Sequence, residues 1–259
     1  MSTIVLVTGA TKVQLIASHH TGIGRGFVEQ YLKRENTIVV AGVRSPSSAE
    51  ATSLCQFDVA PGSRAILVKI DARSETDALE AIQVLQKQHG IGRLDIIIAN
   101  AGIFYPAANQ KVLDMKLTDL QEHINVNAYG VIRLFQATWP LLEQSEKPIF
   151  LLNSAAAGSI VGMKAFAQVP LNSYAASKML ANFFITKVHF EHPSLISFAV
   201  HPGSVVTENR TAAAERLGVS VEGISVDQSV LSLLSVLDNA TVATTSGTFL
   251  NVDGVPIPW

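Results

Sequence analysis

Seven short runs of apolar, largely β-branched residues, at 4–7, 37–41, 65–70, 94–98, 149–152, 195–200 and 248–252, constrain the fold of this chain more than anything else in it. Within each run apolar residues follow one another without polar alternation, the pattern of strands buried on both faces. Segments of helical pattern at 24–33, 75–89, 116–142, 172–189 and 226–237 fall between most of them. Such alternation builds a parallel sheet with helices packed on each side. The fold class is therefore α/β, a single doubly wound domain over 1–259 around a seven-stranded parallel sheet. No shift in composition marks an internal boundary, and no solenoid repeat is present. A chain of 259 residues can bury about three quarters of its unfolded surface, enough for one large core. Glu191-His192-Pro193 ends the helix begun near 172, because proline disfavours helical geometry in the residue before it.

Charge and cysteine content exclude several roles. With 19 Lys+Arg against 21 Asp+Glu and a net charge of −2, the chain lacks the basic excess with which nucleic-acid binders neutralise phosphates. No nucleic-acid partner is expected. The single cysteine, Cys55, rules out an internal disulfide framework and a cysteine-rich zinc site, so a reducing, cytoplasmic setting is expected. His19-His20 has no evident further ligand, and no metal is expected. The apolar run at 3–7 is too short for a bilayer and follows no basic residue. It reads as a buried strand, without membrane association.

Chemistry belongs on the loops. Two long connections, 155–171 and 204–225, would lie beyond the carboxyl ends of strands, where open parallel sheets bind ligands. The first strand leads into Val7-Thr8-Gly9-Ala10, and Gly22-Ile23-Gly24-Arg25-Gly26 opens the first helix. Glycines there let backbone N–H groups approach a pyrophosphate at the positive helix end, so Gly9, Gly22, Ile23 and Gly24 are candidates for a dinucleotide turn. The second strand ends in Gly42-Val43-Arg44-Ser45. An NAD-selective site would place a carboxylate near Val43; Arg44 instead offers a guanidinium that can pair in two-point fashion with a 2′-phosphate. NADP(H) is the expected cofactor.

Further motifs follow in order: Asp71 at the end of the third strand, Ala99-Asn100-Ala101-Gly102 at the end of the fourth, then Asn127-Ala128-Tyr129-Gly130, the stretch from Ser154 to Ser159, Tyr174-Ala175-Ala176-Ser177-Lys178, and Pro202-Gly203 followed by Val205 and Thr207. A Tyr-x-x-x-Lys pair alone is common by chance; seven motifs in this order are not. In them the chain resembles the short-chain dehydrogenase/reductase family along its whole length. Its ending, Asn251-Val252-Asp253-Gly254-Val255-Pro256-Ile257-Pro258-Trp259, together with Ala99-Asn100-Ala101-Gly102-Ile103, resembles more particularly the fungal ketoreductases related to norsolorinic acid reductase, enzymes of secondary metabolism. The resemblance implies a Rossmann fold and hydride transfer between NADP(H) and a small-molecule carbonyl or alcohol, a polyketide-like or aromatic ketone being in scope. It implies cofactor contacts at Asp71, Asn100, Ala101, Gly102, Tyr174, Lys178, Pro202, Gly203, Val205 and Thr207. Apolar residues beyond one core-facing stripe on the helices at 116–142 and 172–189, which pair subunits in relatives, point to a homodimer or homotetramer.

Tyr174 and Lys178 lie four apart on a helix and share one face. Reduction of a ketone needs a proton for the developing alkoxide, and an adjacent ammonium lowers the pKa of a phenol from its usual value near 10. By the resemblance, Lys178 also holds the nicotinamide ribose, Asn127 holds a water that relays protons to it, and a serine three residues before a glycine orients the carbonyl. Counting back from Gly158 lands on Ala155, with Ser154 one place earlier. Ser154 is the expected donor, through an irregular strand end, and Ser159 is the fallback. The first turn departs from the family: twelve residues separate Gly9 from Gly22, where three are usual, so nine are extra. They include Lys12 and His20. An outward bulge that leaves the turn working, a damaged cofactor site and a translated splicing remnant would each account for them. A second reading therefore stands beside the enzyme: a catalytically impaired dinucleotide-binding or scaffold protein of the same fold.

Overall fold

The apolar runs become strands whose alternate residues supply two separate cores. The computed structural model describes residues 2–11, 15–16, 19–20, 22–205 and 223–259, without the side chains of 15–16 and 19–20. Its strands are β1 (Thr3–Thr8), β2 (Leu15–Ile16), β3 (His19–His20), β4 (Thr37–Val43), β5 (Arg64–Lys69), β6 (Ile96–Ala99), β7 (Ile149–Asn153), β8 (Ile196–His201) and β9 (Phe249–Asn251). Its helices are α1 (Ile23–Leu32), α2 (Ala49–Thr52), α3 (Asp77–His89), α4 (Leu117–Ile124), α5 (Gly130–Leu142), α6 (Asn172–Glu191) and α7 (Val226–Asp238). Seven strands form one sheet of order β5-β4-β1-β6-β7-β8-β9, parallel throughout. Ile4 and Leu6 turn to the layer of α3, α5 and α6, where they meet Ile82, Leu134 and Ile185. Val5 and Val7 turn to the layer of α1 and α7, with Phe27, Tyr31 and Leu233. That period-two division is why the runs had to be apolar at every position.

The strand order places a crevice. From β1 the chain builds outward to β5 and returns to β6 on the other side of β1, so loops leaving β1 and β6 part at the carboxyl edge and open a ligand-sized gap. Residues 15–16 and 19–20 of the inserted segment stay apart from this sheet. Leu15–Ile16 and His19–His20 pair antiparallel with each other in a two-stranded sheet of their own, while Lys12, Val13, Gln14, Ala17 and Ser18 lie outside the described residues.

The single helix expected over 116–142 is instead two. A π-helical turn, Asn125–Tyr129, separates α4 from α5, and such turns carry an extra residue that re-aims side chains. Here it sends Asn127 into the interior, fully buried. Gly130 then allows close passage: a Cβ there would lie 2.8 Å from the Ala72 side chain. The connection 155–171 contains two 3-10 stretches, Ala156–Gly158 and Val161–Phe166. Beyond β9 the chain doubles back, Asn251 N–H donating to Val255 O and Ile257 N–H to Phe249 O. Among the described residues no helix is long and apolar enough to cross a membrane.

Candidate active site

At the crevice, Thr8 joins β1 to β6. Its hydroxyl accepts the N–H groups of Asn100 at 3.1 Å and Ala101 at 3.0 Å, and the Asn100 amide donates back to Thr8 O at 2.9 Å. Gly9 follows with φ +67°, a region L side chains rarely enter. The turn is tight despite its length: a Cβ on Gly24 would sit 2.5 Å from Gly9 O. Gly22 begins α1 without a side-chain cap, so Ile23 and Gly24 present first-turn N–H groups that need an acceptor, as an anion provides. The cleft beside them measures about 300 Å³ and is lined by Gly9, Arg44, Asp71, Asn100, Ala101 and Gly102 of the expected set, continuing to Phe104 and Tyr105. Arg44 is exposed, and no carboxylate among the described residues pairs with it. Asp71 accepts Arg73 N–H at 3.0 Å.

Pro202, Gly203 and Val205 follow β8. Pro202 O accepts the Ser229 hydroxyl at 2.6 Å, Gly203 has φ +82°, and Val205 is buried and bridged to Ile224. Thr207 lies outside the described residues.

The long helix α6 brings Tyr174 and Lys178 onto one face beside the end of β7. The Lys178 ammonium donates to Asn153 O at 2.8 Å and stands 6.0 Å from the Tyr174 ring centre. Phe104 meets that ring edge-on at 5.1 Å. Burial pushes the phenol up to about 12. The direction is opposite to the lowering expected from the ammonium, and burial, which disfavours the phenolate, is its cause. At neutral pH Tyr174 holds its proton. Asn127 clasps the backbone of Ile103, accepting its N–H at 2.7 Å and donating to its O at 3.0 Å, and donates also to the Ser177 hydroxyl at 2.9 Å. A Cβ on Gly102 would lie 3.1 Å from Asn127 Oδ1 and 3.5 Å from Lys178 Nζ, so glycine is what leaves space between the amide and the ammonium.

Both serines are otherwise engaged. Ser154 faces α6 but donates to Asn182 Oδ1 at 2.6 Å, and the Asn182 amide is oriented by its own bond to Gly158 O. Ser159 donates to Pro258 O and accepts Gly162 N–H at 2.8 Å. Asn182 escaped the reading of the sequence, although Tyr174, Lys178 and Asn182 repeat at intervals of four, the spacing of one helix face. His123 escaped it too. Fully buried, it donates from Nδ1 to Asp119 O at 2.7 Å and stands edge-on to Tyr105 and Tyr174 at 5.3 and 6.4 Å. Only the fold places this residue of α4 beside the start of α6.

Comparison with known proteins gives the family. Residues 3–218 match the family described as short chain dehydrogenase. The chain is 38% identical to a norsolorinic acid ketoreductase of Aspergillus parasiticus, over 99% of this chain and 91% of that protein. It is 36% identical to one of Emericella nidulans, over 99% and 94%. The structure of an NADPH-bound carbonyl reductase from chicken fatty liver superposes with a TM-score of 0.80 at 26% identity, covering both chains completely. These matches run along nearly the whole length, and the chain is an oxidoreductase belonging to the short-chain dehydrogenase family.

Proposed function

We propose that this protein reduces the ketone of a polyketide-like or aromatic small molecule to an alcohol, with NADPH as the hydride source. The observation that carries the reading is a protonated phenol at Tyr174 four residues from an anchored ammonium at Lys178, near a glycine-lined cleft that ends at Arg44, which pairs with no carboxylate among the described residues. The cleft's chemistry suits the dinucleotide: uncapped helix N–H groups for the pyrophosphate, Asp71 and the Asn100–Gly102 backbone along its wall, and Arg44 for a 2′-phosphate. When bound, NADPH supplies the hydride that the carbonyl carbon takes up. Tyr174 gives its proton to the carbonyl oxygen as negative charge gathers there. Lys178, held on Asn153 O, would bind the nicotinamide ribose and keep a positive charge near the phenolate left behind. Asn127 sets the Ile103 backbone that forms the floor of the site and would hold the water from which Lys178 is resupplied with a proton. Ser154 can donate to the carbonyl only by leaving Asn182, which makes it the auxiliary donor. The substrate class rests on the names of the similar fungal ketoreductases and on the aromatic walls Phe104 and Tyr105.

The test is fluorescence titration with NADPH and NADH, followed by ketone-dependent loss of NADPH absorbance. NADPH should bind more tightly, and Arg44→Ala should weaken NADPH much more than NADH. Equal losses for both cofactors would remove Arg44 from the site. Tight NADPH binding with no turnover of any aryl ketone would favour the impaired reading, which draws on the two engaged serines.

A further inference from the structure

Residues 256–259 are tied to the loop that leads to Tyr174. The Ser159 hydroxyl donates to Pro258 O and also accepts Gly162 N–H at 2.8 Å, and Val161 N–H donates to Trp259 O at 3.0 Å. Two hydrogen bonds thus hold Ser159 and Val161 against the returning chain, and a third closes the stretch 159–162 on itself. Gly162 is a necessary part, since a Cβ there would lie 2.9 Å from the Ser159 hydroxyl. The tail is anchored in turn on the sheet: Ile257 N–H bonds Phe249 O, and the Trp259 ring stacks on Phe249 at 5.4 Å and 24°. Phe249 is a buried residue of β9, so the tether reaches the core.

The held loop borders the reacting group. It leaves β7 through the Ala156–Gly158 turn, which packs against α6 at Lys178 and Met179 so closely that a Cβ on Gly158 would lie 3.0 Å from Lys178 Cβ. It rejoins α6 two residues before Tyr174, where Leu171 bridges Gln110 and the Asn172 amide donates to Gln110 O at 2.7 Å. Exposed apolar side chains stand on both sides of this junction, Ile160, Val161 and Met163 on the held loop and Val112 and Leu113 beyond Gln110.

Building on the ketone-reductase reading, we infer that the segment 256–259 is a specificity-determining strut: through Ser159 and Trp259 it fixes the apolar rim at 160–163 against which the bulky hydrocarbon part of a carbonyl substrate lies. Ser159 is thereby a positioning residue and has no part in proton transfer. The hydrogen bonds of the strut run to Ser159, Val161 and Phe249, none of which lines the dinucleotide cleft.

Ser159→Ala and Trp259→Ala should each raise KM for a fused-ring ketone such as 2-acetylnaphthalene about five- to tenfold, with kcat within about twofold and KM for acetone nearly unchanged. NADPH affinity should match the parent. The double variant should cost little more than either single one, because both act on one tether. Independently of turnover, trypsin should cut at Lys164 on the same loop faster in both variants. Unchanged KM for the large ketone in folded variants would overturn the inference, as would a loss carried by kcat, which would give Ser159 a hand in the chemistry. A parent that binds NADPH but reduces neither ketone would overturn the ketone-reductase reading and the specificity role with it. Faster cutting at Lys164 would then still show the tether, and so tell that failure apart from a strut that does not hold.

Discussion

Tyr174 shows how a single residue's chemistry depends on what surrounds it. Its phenol is pushed up to about 12 by burial, which keeps it protonated at neutral pH and makes it a weaker acid than a free phenol. Tyr174→Phe keeps the ring and removes the proton; the reduction rate should fall by about 10²–10⁴ with NADPH binding retained, as stopped-flow rates and fluorescence titration would show. Ser154→Ala should cost about tenfold or less, because its hydroxyl proton is already spent on Asn182. A larger loss would mean that Ser154 turns to the carbonyl during turnover. The shifted phenol also bears on stability. Its folded pKa lies above the unfolded value near 10, so the contribution is complete below pH 10 and is lost as pH rises toward 12. Urea unfolding across that window should show Tyr174→Phe losing stability less steeply than the parent. Parallel curves would mean that the phenol is not buried in solution.

At the scale of elements, two departures from regular pattern decide how the site is built. The π turn Asn125–Tyr129 places Asn127 against Ile103. Helical periodicity does not reveal it, because one extra residue leaves the polar and apolar spacing on either side intact. The long first turn is the other. Gly24 closes on Gly9 in spite of the intervening residues, and residues 15–16 pair with 19–20. Excision of Lys12 to His20, which restores the usual spacing, should therefore yield a folded protein whose NADPH affinity lies within about threefold of the parent, since loop length alone contributes little free energy. A tenfold gain, about 1.4 kcal/mol, would show that the insertion obstructs the site.

At the scale of the molecule, the doubly wound sheet leaves some apolar surface outside its two cores. Leu117 on α4 and Phe183 and Phe190 on α6 are exposed, and a second copy packed by symmetry would cover them. Light scattering at micromolar concentration should give a multiple of the 27.7 kDa chain mass, as a dimer or tetramer; a monomer mass would count against that assembly.

Much of this was legible without coordinates. Uninterrupted apolar runs can be satisfied only by strands covered on both faces, so the seven-stranded parallel sheet followed from the order of residues, as did the pairing of Tyr174 with Lys178, which needs only helical spacing. What the sequence could not determine are the partners of groups far apart in the chain. Whether Ser154 spends its proton on a substrate or on Asn182, whether Ser159 serves the carbonyl or Pro258, and whether burial or an ammonium governs Tyr174 are competitions among neighbours brought together by folding. Hydrogen-bond geometry and desolvation decide such competitions, and both are properties of distances that exist only once the chain has closed.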